Sequence, residues 1–199
     1  MRRFLSLAFV CALVAIAGIA RAQEVDFAVG GNTLWSPKNT TASEGFLPPP
    51  LKGGLYPSVS VEYIKENHWG FLAEGAFRYH QAVYNDFQRY RPILYDVNAV
   101  YTAELAHKTR GDFMAGIGGE TLLFYTPYYV CGIPTGGCRT FLNSTHFLTH
   151  AGVGIHYALW RRLFIRPEAH WYYVVNNYQF HSDNVFRVGV SIGYTFGEQ

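Results

Sequence analysis

Three groups of residues in this 199-residue chain have types and spacings that could do chemistry. The first is a set of ionisable side chains that alternate with apolar ones along extended segments. It holds the acids Asp26, Glu62, Glu74, Asp96, Glu104, Asp112, Glu120 and Glu168, the arginines Arg78, Arg166 and Arg187, and the histidines His80, His146, His150, His156 and His170. Enclosed together, such groups form either an ion path or a plug of mutually neutralising charge. His150, His170 and Glu168 also have the donor types of a metal site, but positions two apart on a strand recur by chance. The second group is His181-Ser182-Asp183, which contains a base, a nucleophile and an acid. Adjacent residues in an extended loop point apart, so a working triad is not expected there. The third group is Cys131 and Cys138.

The elements that must position these residues are strands. Apolar and polar residues alternate with period two over eight segments, near 25–35, 55–65, 69–80, 93–105, 112–125, 145–159, 163–175 and 185–196. Val188, Val190, Ile192 and Tyr194, for example, alternate with Arg187, Gly189, Ser191 and Gly193. The connections at 66–68, 106–111 and 160–162 are short. Those at 36–54, 81–92, 126–144 and 176–184 are long. An antiparallel up-and-down order therefore collects the turns at one end and the loops at the other. Ten residues at about 3.3 Å each, tilted by about 40°, rise about 25 Å, the height of the apolar band of a transmembrane β-barrel. The expected fold is all-β, an eight-stranded antiparallel up-and-down transmembrane β-barrel.

Composition decides which face points inward. The polar face is rich in glycine and carries one or two charges per strand, whereas Lys38, Lys52, Lys65 and Lys108 sit in loops or at strand ends. A face in water would be rich in lysine and glutamate. Small residues with a few charges suit the crowded bore of an eight-stranded barrel. Aromatic residues near both ends of the segments fit two interfacial girdles. The expected interior network comprises Glu62, Glu74, Arg78, Asp96, Glu120, His150, His156, Arg166, Glu168, His170 and Arg187, acting as a structural plug with no metal or other cofactor.

Residues 1–22 read as a signal peptide. Arg2 and Arg3 precede an apolar stretch from Phe4 to Ile19, and Ala20-Arg21-Ala22 is a small-x-small cleavage site. The barrel domain is then 23–199. Of 16 Lys and Arg residues, three lie in the leader, leaving 13 against 14 Asp and Glu. No basic run is present, which argues against nucleic-acid binding. After export, Cys131 and Cys138 are expected to pair as a disulfide.

From residue 23 onward the chain resembles the eight-stranded outer-membrane β-barrel superfamily, the OmpA/OmpX-like and opacity-type proteins of Gram-negative bacteria. Arg187-x-Gly189-x-x-Ile192-x-Tyr194 is similar to the last-strand pattern that such proteins present to the barrel assembly machinery. The tail departs from it, since Gly197-Glu198-Gln199 follows Phe196. The resemblance implies a monomer in the cell outer membrane, contacting lipid and lipopolysaccharide. Its implied role is structural or surface-interaction, through four extracellular loops that could meet a surface ligand. A narrow pore or apolar-solute carrier of OmpW-like kind is the alternative, and a lipid A-modifying enzyme the third.

Overall fold

The computed structural model describes residues 24–37, 50–84, 87–131, 138–180 and 182–197. The leader at 1–22, the segment 38–49 with Pro48 and Pro49, and His181 lie outside the described residues. The strands are β1 (Glu24–Trp35), β2 (Tyr56–Ile64), β3 (Trp69–Phe77), β4 (Ala82–Tyr84), β5 (Gln88–Ala106), β6 (Thr109–Cys131), β7 (Cys138–Trp160), β8 (Leu163–Val174) and β9 (Asn184–Phe196). They form one antiparallel sheet in the order β3-β2-β1-β9-β8-β7-β6-β5, and the β3–β5 pairing closes it. Closure removes the unpaired edges that an open sheet would carry. The three-residue β4 pairs only with the start of β5, outside the closed ring of eight strands.

Alternation of side chains sorts the residues between bore and exterior. In β9, Val185, Arg187, Ser191 and Thr195 are buried, while Val188, Val190, Ile192 and Tyr194 are exposed. The same pattern exposes Phe27, Val29, Val61, Phe71, Val97, Ile117, Val153 and Ile155. An apolar belt of this extent is stable against lipid, not water. Aromatic side chains border the belt: Trp69, Tyr101, Tyr157 and Tyr194 beside the turns, and Trp35, Tyr95, Trp171 and Tyr173 beside the loops.

The two ends differ as the connection lengths require. At the turn end, Lys108 and Arg161 take left-handed conformations, with φ of 72° and 43°, to reverse the chain between β5 and β6 and between β7 and β8. At the loop end, β6 and β7 run on well past the expected limits of 125 and 145. Their pairing reaches Cys131↔Cys138, with a register shift between Tyr125 and Val130. Residues 126–129 bulge there against a single partner residue, and Pro127 offers no amide to the ladder.

Candidate functional site

The bore is filled in three tiers, because inward positions of all eight strands converge on a space only as wide as their side chains. The tier nearest the turns is held by two arginines. Arg110 reaches Glu24 Oε2 at 2.6 Å, Asp26 Oδ2 at 2.5 Å and Asp112 Oδ1 at 3.1 Å. Thr195 donates its hydroxyl to the other oxygen of Asp26 at 2.5 Å. Arg166 donates to Glu62 Oε2 at 2.6 Å, Ser60 Oγ at 3.1 Å and Glu168 Oε2 at 3.1 Å. His156 stacks on Phe164 with centroids 3.9 Å apart, and its Nδ1 lies 3.6 Å from Asp26.

The middle tier is a relay of polar side chains. Asn98 Nδ2 donates to Asp96 Oδ1, and Asn98 Oδ1 lies 2.5 Å from His150 Nδ1. His150 Nε2 is 2.9 Å from His170 Nδ1, and His170 Nε2 is 3.6 Å from Glu168 Oε1. Ser191 donates to that same Glu168 oxygen at 3.1 Å. Arg187 Nη2 donates to Glu74 Oε2 at 2.6 Å and its guanidinium lies over the Tyr172 ring, 5.5 Å from the centroid.

The third tier, at the loop end, is apolar. Leu34, Tyr56, Tyr90, Leu94, Leu122, Leu148, Tyr172 and Val185 form one buried cluster with Leu51 and Phe180, which fold in from the connections after β1 and β8. These two loop residues close the mouth. Beyond them the β6–β7 hairpin stands clear, carrying Tyr128 and Tyr129 at 70% and 73% exposure and the Cys131–Cys138 disulfide at its tip.

Neither a protein-family model nor a curated protein sequence matches this chain. Solved structures do. One is Ail, the attachment invasion locus protein of Yersinia pestis, in complex with the heparin analogue sucrose octasulfate. It aligns with a TM-score of 0.57 at 14% identity, covering 87% of this chain and 98% of that one. Neisserial surface protein A aligns with a TM-score of 0.57 at 12% identity, over 87% of this chain and 96% of its own. Outer membrane protein W of E. coli aligns with a TM-score of 0.52 at 15% identity, over 88% and 99%.

This chain has the fold of the eight-stranded outer-membrane β-barrels. Within that barrel the sequence-derived network divides. Glu62, Glu74, Asp96, His150, His156, Arg166, Glu168, His170 and Arg187 are buried in the two polar tiers. Glu120 is fully buried as well, but neither carboxylate oxygen has a hydrogen-bond partner among the described residues. It pairs in register with Leu94, a member of the apolar tier.

Arg78, one residue past the end of β3, keeps its inward parity and is half-buried at the loop end of the bore, beside the buried Tyr56 and Tyr90 hydroxyls and with Nη1 3.5 Å from the Lys52 carbonyl. His80 is exposed because β3 ends at Phe77 and alternation no longer governs facing there, and Glu104 because it lies at the turn end of β5 beside a register shift. His146 is half-buried against Ser144 Oγ at 2.9 Å. Sequence reading missed Arg110, which it left in a turn. Carrying the alternation of β6 back two residues from Asp112 would have found it. Ser182 and Asp183 serve the last loop as acceptors, for the amides of Asn184 at 3.1 Å and Asn177 at 3.2 Å.

Proposed function

We propose that this chain, after losing residues 1–22 on export, is a monomeric plugged outer-membrane barrel that holds its loops at the cell surface to bind an anionic ligand. The division of the molecule carries this reading. Above an open vestibule at the turn end, lined by Glu24, Arg110 and His156, its bore is filled up to the loop end, where an aromatic hairpin and a cationic rim lie. Lys52, Arg78, Arg89 and Arg91 lie at that rim, and none forms an ion pair among the described residues. Arg91 instead donates to the Tyr79 carbonyl at 3.2 Å. Cations without a carboxylate partner are free to pair with sulfate or phosphate groups, and arginine suits both. The likeness in fold to Ail, solved with a sulfated heparin analogue, supports a ligand of that chemistry. The pattern in β9 from Arg187 to Tyr194 is the segment we assign to the assembly machinery, and the apolar belt meets lipid and lipopolysaccharide.

The test is binding of the folded barrel to immobilised heparin and to lipopolysaccharide, together with planar-bilayer conductance. Saturable binding, weakened at least tenfold by Arg89→Glu/Arg91→Glu, is expected, with no stepwise conductance. Steady conductance would favour a pore or apolar-solute carrier, and a lipid A mass shift on overexpression would favour an enzyme.

A further inference from the structure

We infer that the middle of the bore contains a binding site for one divalent transition-metal ion of the zinc type, with His170, Glu168 and Glu74 as its ligands. The ligand atoms of these three side chains all lie within 4.8 Å of one another, and all three residues are buried. They come from β8 and β3, strands that share no edge, so no single hairpin accounts for their convergence.

The hydrogen-bond relay points to the ion. Asn98 uses its amide nitrogen on Asp96, so its oxygen must accept, and the proton it accepts is on His150 Nδ1. A neutral His150 then accepts at Nε2, so His170 donates from Nδ1. A neutral His170 is left with a bare lone pair on Nε2. That atom has no hydrogen-bond partner among the described residues and faces Glu168 Oε1 at 3.6 Å. Glu74 repeats the motif: Arg187 holds Oε2 at 2.6 Å, and Oε1 is buried without a partner. His170 Nε2 and Glu74 Oε1 therefore converge as electron-pair donors with no proton between them, beside Glu168 Oε1, which among the described residues accepts only the Ser191 hydroxyl.

Such an arrangement is costly alone and favourable around a cation. One imidazole and two carboxylates are zinc donors, and the hydrogen bond from His170 Nδ1 to His150 is the outer support that metal-bound histidines require. Tetrahedral bonds of about 2.05 Å put ligand atoms about 3.3 Å apart, so the His170–Glu168 pair is already close to that spacing. Charge agrees. Asp26, Glu62, Glu74, Asp96, Asp112, Glu120 and Glu168 are buried, against Arg110, Arg166 and Arg187 in the polar tiers and Arg78 at the loop end. The sequence reading grouped His150 with His170 and Glu168. The relay instead makes His150 a positioning residue and brings in Glu74 from across the bore.

The experiment is refolding of the whole barrel in metal-free detergent with zinc chloride added, followed by gel filtration and metal analysis. Retention of about one zinc per folded chain is expected, falling at least tenfold in Glu74→Gln and in His170→Asn, and unchanged in His80→Ala/His107→Ala. Folded wild-type protein that retains no zinc, or variants that retain it fully, would overturn the site. Should both variants fail to fold, cobalt(II) is loaded into the wild type instead. Paramagnetic broadening of the Gly152 and Arg187 amides, with Tyr128 unaffected, is expected. Broadening confined to the rim, or none, would overturn the site and leave a shared proton between His170 and Glu168.

Discussion

Arg187 and Glu74 meet at 2.6 Å across the bore, although 113 residues separate them and their strands, β9 and β3, are not neighbours in the sheet. Each side chain is at most 1% exposed. Desolvating a lone charge costs more than the pair gains, so removing one partner is far worse than removing both. Arg187→Met is expected to destabilise the barrel by about 3–5 kcal/mol. The double variant Arg187→Met/Glu74→Leu should recover most of that loss. Urea unfolding in lipid vesicles measures both, and additive losses would show that the two side chains are not coupled.

The facing of β9 has its own test. Val190 and Ile192 are 47% and 51% exposed on the apolar belt and pair with Gly31 and Val29 of β1. Arginine on the lipid face costs about 2–4 kcal/mol near the bilayer midplane. Val190→Arg and Ile192→Arg should each lose about that much, or fail to fold into vesicles. Thr140→Arg, exposed on the hairpin beyond the barrel, should change stability by less than about 0.5 kcal/mol. Normal vesicle folding of the two β9 variants would mean that this face meets water.

The strands were legible because period two is a local property. Which side chains meet across the bore was not. Alternation shows that Arg187 and Glu74 both point inward, but their relative height depends on strand stagger and on closure through β3 and β5, which no local pattern contains. Strand ends were the other weak point. His80 follows the parity of β3 only on paper, since the strand ends at Phe77. Pro127 and the bulge at 126–129 interrupt the alternation of β6, so its continuation to Cys131 reads as loop. Arg110 was hidden by the opposite error, a turn drawn three residues too far into β6.

Glycine is required where β6 passes close to β5. Gly118 pairs with Asp96, and a Cβ there would overlap the Tyr95 carbonyl oxygen and lie 2.7 Å from the Asp96 Cβ. A backbone obstacle cannot swing aside, so Gly118→Ala should cost more than the roughly 1–3 kcal/mol of ordinary overpacking and should sharply reduce refolding yield. At Gly75 a Cβ meets nothing within 4 Å, and Gly75→Ala should refold normally. Heat-modifiable gel mobility separates folded from unfolded barrel for each, and equal yields would contradict the close approach.

Glu120 is the one acid of the network placed beside the apolar tier without a partner among the described residues. A buried polar group lacking hydrogen bonds costs about 1–3 kcal/mol. Glu120→Met keeps the length of the side chain and removes both oxygens. It should raise unfolding free energy by about 1–3 kcal/mol, read from urea midpoints at constant slope. A loss of stability of that size would mean that the carboxylate is satisfied by a group other than the described side chains.

The disulfide should matter to the hairpin and not to the barrel. Cys131 and Cys138 face each other as the last pair of the β6–β7 ladder, with Cα atoms 4.2 Å apart. Between them and the barrel lies the bulge at 126–129, where the ladder is interrupted. Closing an eight-residue loop removes unfolded-state entropy worth about 2.5 kcal/mol in the chain-entropy model. That gain is confined to the tip, because the barrel is closed through β3 and β5 by its own hydrogen bonds. Cys131→Ser/Cys138→Ser should therefore keep the barrel melting temperature within a few degrees while the hairpin becomes a site of rapid proteolysis near Tyr128 and Tyr129. Limited proteolysis with mass mapping reads the tip, and thermal unfolding in detergent reads the barrel. A large fall in barrel melting temperature on reduction, or a hairpin as protected as before, would show that the bond and the barrel act as one cooperative unit.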